Sequence, residues 1–479
     1  QKAAQEDRAI PAWRVELELP REVKKHHMVV ESPTKSGKLQ FRLAKKQAPD
    51  TLYLNDGRGN FRAVTDADAR FFDEYGRPMP MPRDPSHEPA FRDVDGDGDP
   101  DLYVCSDFEF PDRFWINNGS GRFRLVDKLA IRRTSQFTMG VDFTDLNRDG
   151  HLDFLTVDML SREHKRRKTQ MGMMSPTPAV VGQVSNRPQI MQNTLFLNRG
   201  DTTWAEIAQY AGLKASEWSW ATVFTDVDLD GHEDLLISTG MTRDFMDSDA
   251  LDRIDQEKTK TREKILNRSQ EVSLTVDLNY LYPTLETPNV AFRNRGDMTF
   301  EDVSEKWGFK TEAVSGGMAL ADFDNDGDED LYFVNFAAPF LASDEEMAQA
   351  SGNRLYRNDG DGQFTDITET AGVGHVGWDF ACLWWDADND GNLDLTVTHY
   401  SGLVHYRNLG DGTFQDTTSS AGFGQINSFL LGLTAGDYDM DGDLDLYLCG
   451  YVEFDRQRAG NRQIVAGRPA VWTNPVSYQ

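Results

Sequence analysis

The chain has 479 residues, with 79 acidic against 50 basic side chains and a formal charge of −29. Such a charge excludes nucleic acid and anionic membrane as general partners, because both repel it. With 39% hydrophobic and 11% aromatic residues, the chain can bury a substantial core, which excludes a disordered polymer. No run approaches the roughly 20 apolar residues of a membrane-spanning helix. The opening QKAAQEDRAI is too polar for a signal peptide and is compatible with one already removed. Cys105, Cys382 and Cys449 are too few for a disulfide framework, and no C-x-x-C pair marks a redox or zinc site.

Residues 1–50 form an N-terminal segment with two strand-like runs, AWRVELELP and KLQFRLA. From 51 to 479 two short words alternate. One is a hairpin word, apolar-x-x-N-x-G with an aromatic shortly after. It reads LYLNDGRGNF at Asn55, FWINNGSGRF at Asn117, LFLNRGDTTW at Asn198, AFRNRGDMTF at Asn294, LYRNDGDGQF at Asn358 and HYRNLGDGTF at Asn408, and VWTN at Asn474 opens a seventh copy. Asn and Gly between apolar runs signal a tight turn, since both tolerate positive φ. The other word is acidic, D-x-[DN]-x-D-G-x-x-D. It reads DVDGDGDPDL at Asp93, DLNRDGHLDF at Asp145, DVDLDGHEDL at Asp226, DFDNDGDEDL at Asp322, DADNDGNLDL at Asp386 and DYDMDGDLDL at Asp437.

The spacing from hairpin Asn to the next acidic word is 28 residues from Asn117, Asn198, Asn294 and Asn358, 29 from Asn408 and 38 from Asn55. The opposite spacing varies from 22 to 68. Strand-like runs flank every acidic word, so each unit holds about four short strands. Units of roughly 50 residues with four strands predict an all-β fold, a β-propeller. The acidic word falls between strands 1 and 2, the variable segment between strands 2 and 3, and the hairpin word between strands 3 and 4. Five residues before each word stand Gly140, Ala221, Gly317, Ala381 and Gly432, with Glu88 the exception. A column of small residues on strand 1 fits the crowded strand nearest an axis.

Three or four carboxylates within nine residues repel one another unless a cation or water screens them. Gly at position six allows the loop to fold around one centre. Positions 1, 3, 5 and 9 then offer side-chain oxygens and position 7 a backbone carbonyl. Hard, anionic oxygen ligands on a flexible loop select Ca²⁺. The candidate metal residues are Asp93, Asp95, Asp97, Asp99 and Asp101; Asp145, Asn147, Asp149, His151 and Asp153; and Asp226, Asp228, Asp230, His232 and Asp234. They continue with Asp322, Asp324, Asp326, Asp328 and Asp330; Asp386, Asp388, Asp390, Asn392 and Asp394; and Asp437, Asp439, Asp441, Asp443 and Asp445. About six structural Ca²⁺ ions are expected, at sites that fill where calcium is millimolar, in an extracellular, cell-surface or periplasmic setting. The competing expectation is six solvated acidic turns without metal.

The two words resemble FG-GAP/VCBS repeats, as in integrin α-chain propellers. MGVDFTDLNRDGHLDFLTVDML and SEWSWATVFTDVDLDGHEDLLISTGM resemble the bacterial branch of the cartilage acidic protein family. The resemblance implies a seven-bladed propeller with calcium loops on one face of six blades, and the first 50 residues as a divergent, calcium-free blade. The ASPIC/UnbV segment that often follows such repeats is not visible. The chain ends inside a hairpin, which reads as a fragment or a cleaved chain.

Insertions at about 159–193, 241–289 and 337–352 fall on the face opposite the acidic turns, where partly helical loops are expected to meet a protein or glycan ligand. SDALDRIDQEKTKTREKILNR reads as a charged surface helix capped by Ser248. REHKRRK, Arg162 to Lys168, offers either an anion-docking cluster or a solvated run. Ser106, Asp158, Thr239, Asn335, His399 and Gly450, with Thr138, Ser219, Ser315 and Asp379, form a candidate polar ring at the same level. His375, His399 and His405 lie near that level; His405, in a column that elsewhere holds Leu52, Phe114, Leu195 and Leu355, is either a structural group or a metal ligand or acid–base group, and Trp218, Trp220, Trp378, Trp384 and Trp385 are core with one or two exposed at the mouth. The function these features favour is a secreted or surface calcium-binding propeller that binds or adheres. The alternatives are a polysaccharide lyase or hydrolase, and a structural subunit of an extracellular assembly. No constellation with diagnostic catalytic spacing is present. Asp326→Ala or Asp441→Ala is expected to lower calcium stoichiometry by one, read by calorimetric titration; an unchanged count refutes the ligand assignment.

Overall fold

The computed structural model describes residues 27–33, 39–45, 53–55, 61–63, 65–80, 86–106, 110–170, 187–261, 278, 281–309, 312–335, 352–360, 363–425, 429–436, 444–452, 464–465 and 468–469. The run AWRVELELP lies outside them. KLQFRLA supplies Leu39–Lys45, which pairs antiparallel with His27–Pro33. The chain divides into two compact units, Gln1–Met159 with Gly172–Ala215, and Leu160–Met171 with Ser216–Gln479.

The first unit holds two large sheets. Sheet one runs Ser86–Arg92, Asp101–Ser106, Arg113–Asn117 and Phe123–Leu125, and the short strand Phe71–Phe72 adds parallel to its outer edge. Sheet two runs Gly140–Thr144, Asp153–Val157, Thr194–Asn198 and Trp204–Glu206. The second unit holds sheet three (Ser219–Thr225, Asp234–Thr239, Val290–Asn294, Phe300–Asp302) and sheet four (Ser315–Ala321, Asp330–Asn335, Arg354–Asn358, Phe364–Asp366). It continues with sheet five (Asp379–Trp385, Asp394–His399, Gly402–Asn408, Phe414–Asp416) and the pair Phe429–Gly436 and Asp445–Val452. Apart from the parallel edge strand Phe71–Phe72, each of the five large sheets is an antiparallel four-stranded meander in the order the words predict. Each described acidic loop joins strands 1 and 2, and each N-x-G turn joins strands 3 and 4.

The second strands, such as Asp101–Ser106 and Asp234–Thr239, are buried along their whole length. A strand covered on both faces must be apolar at successive positions, and LYV, LLI and LYFV meet that demand. Between sheets one and two the filling is aromatic. Tyr103, Phe114, Phe143, Phe154, Phe196 and Trp204 form one cluster, with the Phe154 and Phe196 rings stacked at 4.7 Å. Burying each such ring contributes about 2–3 kcal/mol. Trp307, Phe309, Phe333 and Tyr356 do the same between sheets three and four, and Tyr332, Trp384 and Phe414 between four and five. The column of small residues has a direct cause at Gly317. A Cβ there would stand 2.9 Å from the Phe380 carbonyl oxygen and 3.4 Å from Ala381 Cα, on the first strand of the next sheet. Glu88, the exception, is half-buried and accepts the Val141 N–H across to sheet two.

The hairpin asparagines do more than turn the chain. Positive φ falls on the glycine two residues later (74° at Gly119, 66° at Gly200, 73° at Gly296), not on the asparagine. The asparagine is needed for its amide. Asn198, Asn358 and Asn408 each donate Nδ2–H to a carbonyl of their own acidic loop (Leu152, Glu329, Leu393). Each also donates to the preceding sheet within its unit, at Val94, Val227 and Phe323, over 3.0–3.1 Å. Each Oδ1 accepts the N–H of the turn glycine. One side chain therefore closes its own hairpin, anchors its own loop and staples the neighbouring sheet.

Asn358→Ala is expected to cost about 2–4 kcal/mol in denaturant unfolding, because two carbonyls lose their donor. Asn358→Asp should cost at least as much, since it sets an acceptor against acceptors beside an acidic loop. Burial raises the Glu88 carboxyl to about 7 from 4.5; the Val141 N–H and Arg92 oppose this and Asp142 adds to it. Folded Glu88 therefore holds a proton that the unfolded chain has lost, and its contribution declines as pH rises from about 4.5 to about 7. The wild-type minus Glu88→Gln difference in unfolding free energy should change by about 2 kcal/mol across that window; a flat difference contradicts the assignment.

Candidate metal centres in the acidic loops

Five of the six acidic loops lie among the described residues and share one backbone path. Position six is glycine at φ 85–100° in all five. Position four is also left-handed, at Gly96, Arg148, Leu229, Asn325 and Asn389, with φ of 52–76°. Leu229 adopts this strained conformation while exposed, so the loop's own bonding enforces it. The first Asp of each loop accepts the N–H of the position-six glycine at 2.8–3.1 Å. The fifth accepts the N–H of position seven at 2.9–3.0 Å. These turns fold the carboxylates of positions one and five back onto the loop's own backbone.

The ninth Asp is the anchor. Asp101, Asp153, Asp234, Asp330 and Asp394 are at most 1% exposed. In each, one oxygen accepts the backbone N–H of the hairpin asparagine at 2.7–2.9 Å. The other accepts the N–H of loop position two at 3.0–3.2 Å. It thus ties strand 2 to its loop and to the hairpin. Burial is the main reason their carboxyls are pushed up, to about 6 at Asp101 and Asp394, about 7 at Asp153 and Asp234 and about 8 at Asp330. The asparagine N–H opposes the shift, and the other loop carboxylates add to it.

Four groups bring three carboxylate oxygens within 4.8 Å of one another: Asp93, Asp95, Asp101; Asp226, Asp228, Asp230; Asp322, Asp324, Asp330; and Asp386, Asp388, Asp390. In the loop at Asp145, the Asn147 amide takes the place of one carboxylate. Oδ1 of Asp226 and of Asp228 are buried without a hydrogen-bond partner. Such converging hard oxygens, with lone pairs left over, fit a cation of the calcium type. The position-seven side chains turn elsewhere. His151 and His232 lie over the hairpin glycines Gly200 and Gly296, and Asp99 over Gly119. That leaves position seven its carbonyl to offer. In the sixth loop Asp437, Asp439, Asp441 and Asp443 lie outside the described residues, and Asp445 opens the strand Asp445–Val452.

Arginines that sequence reading passed over sit among these loops. Arg293 pairs with Asp228 and, at 2.6 Å, with Asp230; Arg407 lies 2.7 Å from Asp388 and 3.0 Å from Asp390. Their signal was present as the residue before the hairpin asparagine, in FRNRG and YRNLG.

The opposite strand ends carry a second set of bonds. The N–H groups of Ser106, Asp158, Thr239 and Asn335 donate to Asp112, Asn193, Asn289 and Asn353. Thr138 reaches Asp112, Asn289 reaches Ser315 and Asn353 reaches Asp379, each from one sheet to the next within a unit. Ser106, Thr138, Asp158, Ser219, Thr239, Ser315, Asn335 and Asp379 are all buried, so they act as a clasp and not as an exposed polar ring. The three arginines of the basic run are likewise structural, while Lys165 and Lys168 are exposed. Arg162 pairs with Asp302, Arg166 with Glu217 and Asp244, and Arg167 binds the Ser161 and Arg162 carbonyls. The helix Ser248–Thr261 forms where expected, but Asp247 caps it, through the Ala250 N–H.

His405 is buried, with Nδ1 2.9 Å from Thr396 Oγ1 and its ring against Trp385 and Phe423. Burial pulls its pKa down, and its bond to Thr396 and its ring packing give it a structural place in the core. His375 Nδ1 stands 2.7 Å from Asp379 Oδ2, and the His399 ring lies 5.1 Å from that of His375. Burial lowers the His375 pKa, but the hydrogen bond and charge of Asp379 outweigh it and the net shift is upward. Burial and the neighbouring His375 pull His399 down. Trp218, Trp378, Trp384 and Trp385 are buried core; Trp220 is partly exposed and donates to the Gly240 carbonyl.

The model of the FG-GAP-like repeat matches residues 93–156, 276–333, 340–397 and 386–448. FG-GAP-like repeats thus recur in four places along the chain, and the acidic loops at Asp93, Asp145, Asp322 and Asp386 fall within them. No curated protein is significantly similar to it. Among solved structures, it is similar to an Agrocybe aegerita lectin described for specific recognition of non-reducing terminal N-acetylglucosamine. The identity there is 13% and the TM-score 0.39, over 89% of this chain and 85% of that one. It is also similar to the Photorhabdus luminescens Tc holotoxin pore, at 13% identity and TM-score 0.31, over 88% of this chain and 15% of that one.

Proposed function

We propose that the protein is a calcium-stabilised β-propeller, secreted or displayed at the cell surface, that serves as a protein- or glycan-binding module. The observation that carries this reading is the recurrence of one carboxylate cluster at one place in successive sheets, each built on a buried anchoring aspartate. Repeated metal loops at strand turns have a mechanical use. Each ion would neutralise its loop and hold strands 1 and 2 at a fixed spacing, so metal affinity becomes folding free energy. Positions 1, 3, 5 and 9 would hold the ion through side chains, and position 7 through its carbonyl. Oxygen-only loops of this charge fill at extracellular calcium. Seven blades are the expected closure, with residues 1–50 as the calcium-free blade, the ions on one face of six blades and the insertions on the other. The family of cartilage acidic proteins is the nearest expected kinship.

Binding is favoured over chemistry because the buried polar strand ends and the arginines of the basic run are committed to internal bonds. Recognition then falls to the insertions. Three assays test the reading. Chelation should lower the melting temperature by 10 °C or more (roughly 2–4 °C per kcal/mol for a large domain), and restored calcium should recover it. Immobilised glycans and extracellular proteins should capture the calcium-loaded chain. Soluble product released from anionic polysaccharides would instead favour the lyase or hydrolase reading, and a melting temperature indifferent to chelator would refute the calcium reading.

A further inference from the structure

The acidic loops are of two kinds, a distinction that rests on reading them as calcium sites. In sheets three and five the residue before the hairpin asparagine is an arginine whose guanidinium lies on the loop. Arg293 engages Asp228 and Asp230, positions three and five of their loop. Arg407 engages Asp388 and Asp390, the same two positions. In each case these are two of the three carboxylates that converge on the loop centre. Sheets one and two carry Ile116 and Leu197 at the equivalent place, which bring no charge. In sheet four Arg357 pairs with Asp359 of its own hairpin, at 2.6 Å, and its charge reaches Asp324 and Asp326 of the loop only at a distance.

We propose that Arg293 and Arg407 are built-in counter-cations that compete with Ca²⁺, so that the loops at Asp226 and Asp386 fill at higher calcium than those at Asp93, Asp145 and Asp322. The carboxylates that accept the guanidinium N–H groups are among those an ion needs, and the arginine's positive charge there opposes the ion's entry. A guanidinium carries one charge and satisfies the loop only in part, since Oδ1 of Asp226 and of Asp228 keep no partner. A divalent ion answers both. The arginines are 34% and 46% exposed, so they can swing into solvent when the ion enters, and their pairs are of the weak, screened sort. The competition is accordingly modest, roughly five- to tenfold in affinity. Its consequence is graded loading. As calcium falls, sheets three and five lose their ions first, and the arginines keep those loops neutral enough to stay folded.

The test is a calcium titration of the full chain, stripped of metal, in competition with a chromophoric chelator. Wild type should show two affinity classes. Arg293→Leu with Arg407→Leu should tighten the weaker class roughly five- to tenfold at unchanged stoichiometry. It should also lower the melting temperature of the chelated protein while sparing the loaded one. Arg357→Leu should move neither quantity. Arg293→Lys with Arg407→Lys keeps charge and fold and should shift affinity less than leucine does. Calcium uptake with a single class that no arginine substitution shifts overturns the competition and leaves the calcium loops standing. No uptake by wild type overturns the calcium reading, and the competition with it.

Discussion

The fold depends on placing charge where a protein resists it. Each described repeat buries an aspartate at the start of its second strand, and that carboxylate holds the loop and the hairpin at once. Burial pushes that carboxyl up, to about 7 at Asp153 and about 8 at Asp330, against the N–H groups that oppose it. Two or three further carboxylates crowd the same turn. The arrangement persists because backbone N–H groups answer every anchoring oxygen and because the loop centre can take a positive charge. On the proposed reading an ion would supply that charge in each loop, and in two of them a guanidinium would stand in.

Around this constraint the remaining bonds form a consistent plan. At one end of the sheets the hairpin asparagine ties loop to hairpin and sheet to sheet. At the other end, side chains at the start of the third strand bind the end of the second and reach the neighbouring first strand. Aromatic side chains fill the space between. Apolar packing supplies most of the stabilisation and sets no register by itself. The amide and carboxylate staples act at the strand ends, where a slip of one residue would separate every pair. That division of labour explains why polar words repeat in the sequence as strictly as apolar ones.

Much of this was legible in the sequence, because repetition turns weak local signals into strong ones. The strand order, the place of the acidic loops and the N-x-G hairpins all followed from spacing. What escaped was any role set by a partner distant in the chain. Asn358 looked like a turn residue, yet its amide reaches Val227, 131 positions away. Arg166 looked like part of a basic patch, yet Glu217 and Asp244 absorb its charge. Asp379 and Thr138 looked like a polar rim, yet they are buried between sheets. His405 stood in a column of apolar residues and keeps a core role by bonding Thr396. In each case composition announced polarity, and only the packing of one sheet on the next decided whether water or protein would meet it.

The most direct measurement is anomalous diffraction from crystals of the protein grown in calcium. The account predicts a peak in each acidic loop, about 2.3–2.6 Å from oxygens of positions one, three, five and nine and from the position-seven carbonyl. Loops that hold only water or a guanidinium under saturating calcium, with Asp101, Asp153, Asp234, Asp330 and Asp394 bound to backbone alone, would contradict it.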